Sequence, residues 1–215
     1  EEKARQSALT TGHKIVCIPN PLNINLFKPH NKVTARERLK LPSNKKLILF
    51  GSVKITDKRK GIDYLIGSCN QLAVVAFGKQ SEQLADLLPF KVYPLDFVQD
   101  EHQLVDIYNA VDLFVTPSLE ENLPNTIMEA MACGTPCVGF NVGGIPEMID
   151  HLHNGYVAQY KSSDDFANGI YWALTDPDYP SLCEQACRKA VSHYSESSVA
   201  KRYIDLYNKV TGRNA

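Results

Sequence analysis

Glu121 and Glu129 bracket the run ENLPNTIME, with seven residues between them. The run before them, DLFVTPSLEE, reads as a buried strand over Leu113–Val115 that ends in a Pro-Ser loop. Asn125 or Thr126 can serve as N-cap of the helix that follows, and Gly134 as its stop, with Pro136 beyond. The carboxylate pair therefore follows the carboxyl end of a strand and opens a helix. Open α/β sheets bind ligands at that place, and a helix start offers free N–H groups to an anion. A carboxylate at each end with N–H donors between them suits a ligand that carries both hydroxyls and phosphates, as a nucleotide sugar does.

A second constellation sits after another strand. The run LILF ends in Gly51-Ser52, and the loop to Gly61 carries Lys54, Lys58, Arg59 and Lys60. Glycine permits close backbone approach, and lysine or arginine can neutralise a diphosphate. The G-x-x-x-x-G-K-[ST] spacing is absent, which disfavours a P-loop ATPase or GTPase. Two further glycine sites stand out. Gly78 follows the strand AVVAF, and Gly143-Gly144 precedes a short helical stretch.

The elements that must hold these residues alternate along the chain. Strands are expected at Lys14–Ile18, Lys46–Phe50, Ala73–Phe77, Val92–Leu95, Leu113–Val115, Pro136–Phe140 and Gly155–Ala158. Amphipathic helical stretches lie between most of them, at Gly61–Cys69, Ser81–Leu88, Glu101–Val111, Thr126–Cys133 and Ile145–Ile149. This alternation predicts an α/β fold, a Rossmann-like parallel sheet with helices on both faces. Ser163–Val210 reads as a helical C-terminal tail in three pieces, broken near Asp176-Pro177-Asp178 and Tyr194-Ser195. The tail should pack on the sheet or reach toward a partner.

The stretch PSLEENLPNTIMEAMACGTPCVGFNVGGIPEMIDHLHNGYVA resembles the E-x7-E region of the retaining glycosyltransferases of GT-B fold. Ile18–Pro29 resembles that family's inter-domain linker, and Leu47–Ile66 resembles the first strand and phosphate loop of its second domain. The resemblance implies that residues 1–28 are the end of an N-terminal domain and a linker. It implies that 29–215 is the C-terminal, nucleotide-sugar-binding half. It assigns Glu121 to the donor sugar, nearest the chemistry, with Asn122 and Leu123 beside it, and Glu129 to the ribose hydroxyls. Gly51, Ser52, Arg59 and Lys60 would bind the donor phosphates with the N–H groups around Asn125, Thr126 and Ile127. Gly78 resembles the small-residue turn near the nucleotide, and the segment Leu95–Val98 resembles the one that holds the base through its backbone, which marks Val98. The family usually carries an arginine where Ser52 stands, so Arg59 is the expected substitute, with Lys54 and Lys58 behind it.

The donor implied is a UDP- or GDP-sugar, with no cofactor and no metal required. The acceptor would be a glycan or lipid-linked, in polysaccharide or glycoconjugate biosynthesis. The enzyme would be cytoplasmic, with peripheral membrane association through a partner Rossmann-like domain. An epimerase of the same fold is one alternative, and a non-catalytic α/β binding module is another.

Composition agrees with a folded, non-nucleic-acid-binding chain. Its 215 residues are 44% hydrophobic, and the net charge of −1 argues against a general nucleic-acid binder. The six cysteines sit largely in apolar runs, a reduced, cytosolic usage, and neither Cys133/Cys137 nor Cys183/Cys187 has zinc-knuckle spacing. Asp176 and Asp178 imitate a metal-binding D-x-D, but in a proline turn away from any strand end.

Overall fold

The computed structural model describes residues 7–54, 57–68 and 73–212. Cys69, the expected end of one helix, lies outside them. Six parallel strands form one sheet in the order β3-β2-β1-β4-β5-β6. They are β1 (Leu47–Lys54), β2 (Ala73–Lys79), β3 (Val92–Leu95), β4 (Leu113–Thr116), β5 (Cys137–Phe140) and β6 (Gly155–Ala158).

Strand β1 shows why the sheet is covered on both sides. Successive side chains of a strand point to opposite faces. Leu47 and Leu49 enter one apolar core, whereas Ile48 and Phe50 enter the other, and all four are buried. Such a continuous hydrophobic run is the mark of a parallel strand between two helical layers. On the first face pack α1 (Lys32–Arg38), α4 (Glu101–Ala110), α5 (Asn125–Ala132) and α8 (Tyr179–Tyr194). On the second lie α2 (Ile62–Ser68), α3 (Leu84–Leu87) and α7 (Ser163–Thr175). A short helix, α6 (Ile145–Met148), joins β5 to β6, and α9 (Glu196–Thr211) ends the chain against α8.

Six of the seven expected strands are present. The seventh, Lys14–Ile18, is not a strand, because among the described residues it pairs with no other strand. Residues 13–31 instead run as a strap across the first helical layer. The Leu22 N–H donates to Tyr194 O at 2.7 Å, and Leu22 and Phe27 are buried in the first core. The His30 N–H donates to Asn109 Oδ1 at 2.6 Å, while Asn109 Nδ2 donates to Lys28 O. Helix α1 follows the strap and was not expected. Asn31 caps it, accepting from the Thr34 N–H at 3.1 Å. The stretch Ser81–Leu88 opens with a 3-10 turn, Ser81–Gln83, before α3. The tail forms three helices as expected, and its DPD turn is closed by the Asp178 N–H bonding Asp176 Oδ1 at 2.8 Å. Asp176 is thereby used as a turn residue.

At the amino ends of β1 and β4 a buried ion cluster ties α1 to the sheet. Asp112 accepts from Arg36 Nη2 and Lys32 Nζ, each at 2.8 Å, and from the Leu47 N–H at 2.8 Å. The Arg36 guanidinium is also satisfied by the carbonyls of Ala110, Pro42, Ser43 and Lys45. Burial alone would raise the Asp112 carboxyl, but Lys32, the Leu47 N–H and Arg36 outweigh it and hold it below the usual carboxylate range.

Candidate functional site

The sheet order places a topological switch between β1 and β4. Strands β1, β2 and β3 proceed one way from it and β4, β5 and β6 the other, which opens a crevice at the carboxyl ends of the central pair. The loop after β1 carries Lys60, and the loop after β4 carries Glu121. Both predicted constellations therefore meet at this crevice.

The two loops are joined backbone to backbone. The Leu119 N–H donates to Arg59 O at 2.7 Å. Gly61 sits at φ +68°, and a Cβ there would fall 1.8 Å from Pro117 O, so only glycine lets the loops approach this closely. Across this seam the Lys60 ammonium donates to Glu121 Oε1. The side chains are largely shielded, at 29% and 13% exposure. Arg59, Lys60, Glu120, Glu121 and Asn122 line a cleft of about 350 Å³. Asp57 orients Arg59 on its rim, with Nη2–Oδ2 at 2.7 Å and Nε–Oδ1 at 3.2 Å. The Arg59 bonds pull the Asp57 carboxyl down to about 2. Of the cationic candidates in this loop, Arg59 and Lys60 reach the cleft and Lys54 and Lys58 do not line it.

A second glycine contact supports the other side of the Glu121 loop. The Gly144 N–H donates to Asn122 O at 2.6 Å. A Cβ on Gly143, at φ +59°, would fall 1.8 Å from Glu121 O, and one on Gly144 2.3 Å from Asn122 O. The glycine pair thus cradles the loop that bears the carboxylate. Asn122, Leu123, Gly143, Gly144 and Glu147 face strap residues 17–20 across an adjoining cleft of about 470 Å³.

Helix α5 begins two residues after Leu123, which lines the second of these clefts. Its N-cap is Pro124, which has no side-chain cap bond, and not Asn125 or Thr126 as expected. The physical reason is that Asn125 already lies inside the helix, and its Oδ1 accepts from Asn20 Nδ2 of the strap at 3.1 Å. The start of the helix is left without a side-chain cap. The Ile127 N–H turns back to Pro124 O at 3.1 Å and its side chain is buried, so Asn125 and Thr126 hold the donors open to an anion. The other end of the helix is as expected. Gly134, at φ +77°, sends its N–H to Met131 O while the Thr135 N–H reaches Ala130 O, a Schellman stop.

Glu129 lies one turn deeper, about 6 Å along the axis from Asn125. It lines neither cleft described above. Its Oε2 accepts from the Tyr108 hydroxyl at 2.7 Å. Tyr108 is fully buried, its ring set among Phe27, Phe77 and Phe114. Nothing in the sequence marked this tyrosine, because on an amphipathic helix it reads as core.

Other expected site residues are placed as follows. Ser52 is buried and donates its hydroxyl to Lys54 O at 3.0 Å, turned to its own strand. Gly51 packs under Phe77, where a Cβ would fall 2.1 Å from the ring. Gly78 lies inside β2, one residue before its end and not after it as expected, at φ +129°, a conformation suited to glycine. Val98 is half-buried against the first core, and Ser81 Oγ donates to Leu95 O at 2.8 Å nearby. Among the described residues no group of three or more His, Cys, Asp or Glu could hold a metal ion.

A parallel sheet of this order, with its candidate site at the switch point, defines a Rossmann-like α/β protein. The family model described as "Glycosyl transferases group 1" matches residues 33–190, and the chain belongs to that family. It is 26% identical over 221 residues to a D-inositol 3-phosphate glycosyltransferase of Thermobispora bispora, covering 92% of this chain and 51% of the relative. The sucrose-phosphate synthase of Thermosynechococcus elongatus superposes with a TM-score of 0.83 at 24% identity, covering 99% of this chain and 57% of that one. An Anabaena protein solved in complex with UDP-glucose gives 0.75 at 22% identity, covering 94% and 60%. The chain thus spans about half the length of the curated relatives it matches.

Proposed function

We propose that this chain is the donor-binding half of a retaining glycosyltransferase that moves a sugar from a nucleoside diphosphate to a glycan or lipid-linked acceptor. The observation that carries the reading is the meeting of Lys60 with Glu121 at the switch point, beside the uncapped start of α5. Sugar transfer leaves negative charge on the departing diphosphate, and preorganised cations and N–H dipoles stabilise it. Lys60, Arg59 and the Asn125 and Thr126 N–H groups have the required chemistry. On donor binding Lys60 exchanges the Glu121 carboxylate for a phosphate oxygen. Glu121, with Asn122 and Leu123, is then free to face the sugar, where positive charge develops. Glu129 accepts the ribose hydroxyls one turn below. In this reading protein cations supply the charge that a metal supplies elsewhere.

The Anabaena neighbour's complex with UDP-glucose supports a nucleotide-sugar donor; in this reading its base is uridine or guanosine. The acceptor groups come from a partner Rossmann-like domain, and the whole enzyme works in polysaccharide or glycoconjugate synthesis in the cytoplasm, peripheral at a membrane. Calorimetry with UDP, GDP and their sugars tests the reading. Saturable binding of one class, lost in Glu129→Ala, is expected. Equal binding by wild type and variant, or none at millimolar ligand, overturns it.

A further inference from the structure

We infer that Tyr108 is a positioning residue for the ribose-holding carboxylate: its hydroxyl fixes Glu129 through Oε2 and leaves Oε1 as the oxygen that meets the ligand. The inference rests on the proposed donor site. Three observations carry it. The Tyr108 ring is immobilised by three aromatic neighbours and is fully buried, so its hydroxyl is delivered to one place. That hydroxyl donates to Oε2 at 2.7 Å. Glu129 Oε1 has no hydrogen-bond partner among the described residues, yet no buried side-chain oxygen lacks one, so Oε1 opens to solvent.

A carboxylate on a helix has three freely rotating torsions. One short bond to a rigid donor removes most of that freedom before ligand arrives, and preorganisation of this kind strengthens binding. A phenol is well chosen for the task. It is one O–H on an apolar ring, so it serves both core and site.

The groups facing Glu129 also set its protonation. Burial raises its carboxyl above the ordinary range, the Tyr108 hydroxyl opposes that, and the charge of Glu101 on α4 adds to it. Cys133, one turn on, is itself raised by burial and stays a neutral thiol. The ionised carboxylate is the form that accepts ribose hydroxyls, so binding is lost as pH falls through this raised value. Without the phenol the value rises further, and the acid limb of binding moves to higher pH.

The test is Tyr108→Phe, which keeps the ring and so the packing. Carbon-13 NMR of the ligand-free chain reads the Glu129 carboxyl titration directly, and a shift to higher pH is expected. Calorimetry with UDP or GDP, whichever the wild type holds, is expected to show about a tenfold loss for one charge-assisted hydrogen bond. The loss should vanish with the 2′,3′-dideoxynucleotide and in a Glu129→Gln background. An unmoved titration, or an equal loss on the dideoxy ligand, overturns the inference and leaves the donor site standing. A wild-type chain that binds no nucleotide overturns the donor site, and the inference falls with it. The NMR titration tells these failures apart, because it needs no ligand.

Discussion

Lys60 and Glu121 neutralise each other at the crevice, and selectivity among ligands follows from that pairing. A ligand must offer Lys60 something better than a carboxylate to open the pair, and a diphosphate does so by charge alone. Lys60→Met should therefore weaken a nucleoside diphosphate about tenfold to a hundredfold, since bonds to charged groups contribute about 1.5–3 kcal/mol, while leaving the nucleoside nearly unchanged. Calorimetry with UDP against uridine, or GDP against guanosine, measures the contrast. Equal losses on both would show that Lys60 shapes the loop and does not face phosphate. The sequence carried the types needed here, a basic loop and an acidic pair. It did not carry their pairing, because Lys60 and Glu121 are 61 positions apart and meet only through sheet order.

At the scale of elements, glycines hold the Glu121 loop from two sides, Gly61 against Pro117 and Gly143-Gly144 against Glu121 and Asn122. Gly143→Ala combines a positive φ with a Cβ that meets a backbone oxygen, which no side-chain rotation can relieve. A loss of about 1–3 kcal/mol is expected. Urea titration should show it as a lowered midpoint, with donor affinity falling in parallel. An unchanged midpoint would mean that the loop yields easily. Most elements were legible in the sequence because periodicity and caps are local signals: β1 alternates into two cores, and Gly134 stops α5. The misread elements have a common cause. Lys14–Ile18 has a strand's composition but pairs with no described strand and runs instead in the strap whose Leu22 and Phe27 are buried in the first core, and the N-cap of α5 differs because Asn125 is drawn to Asn20, 105 positions away. Tertiary partners decided both.

At the scale of the whole molecule, the Asp112 cluster lies at the opposite end of the central strands from the crevice. Its removal should cost stability without touching the site. Asp112→Asn leaves Arg36 buried beside a neutral partner, and a loss of about 3–5 kcal/mol is expected for a broken buried pair. The pH dependence follows from the same bonds. The Asp112 carboxyl is held below its ordinary value of 3.8, so its contribution is present above that value and fades as pH falls through the lower folded one. Wild type should lose stability in that acid window more steeply than Asp112→Asn, as thermal melts across pH would show. Matching slopes would place the acid sensitivity elsewhere.

The strap has a mechanical consequence. Asn20 is fastened to the first residue of α5 and Leu22 to Tyr194, so the chain is tied beside the start of that helix. Anything carried ahead of Asn20 would swing about a pivot placed there. A lever hinged at that point sweeps its far end widely while its near end hardly moves. Large motions of an attached body would thus leave the Lys60–Glu121 floor undisturbed and change only the opening above it.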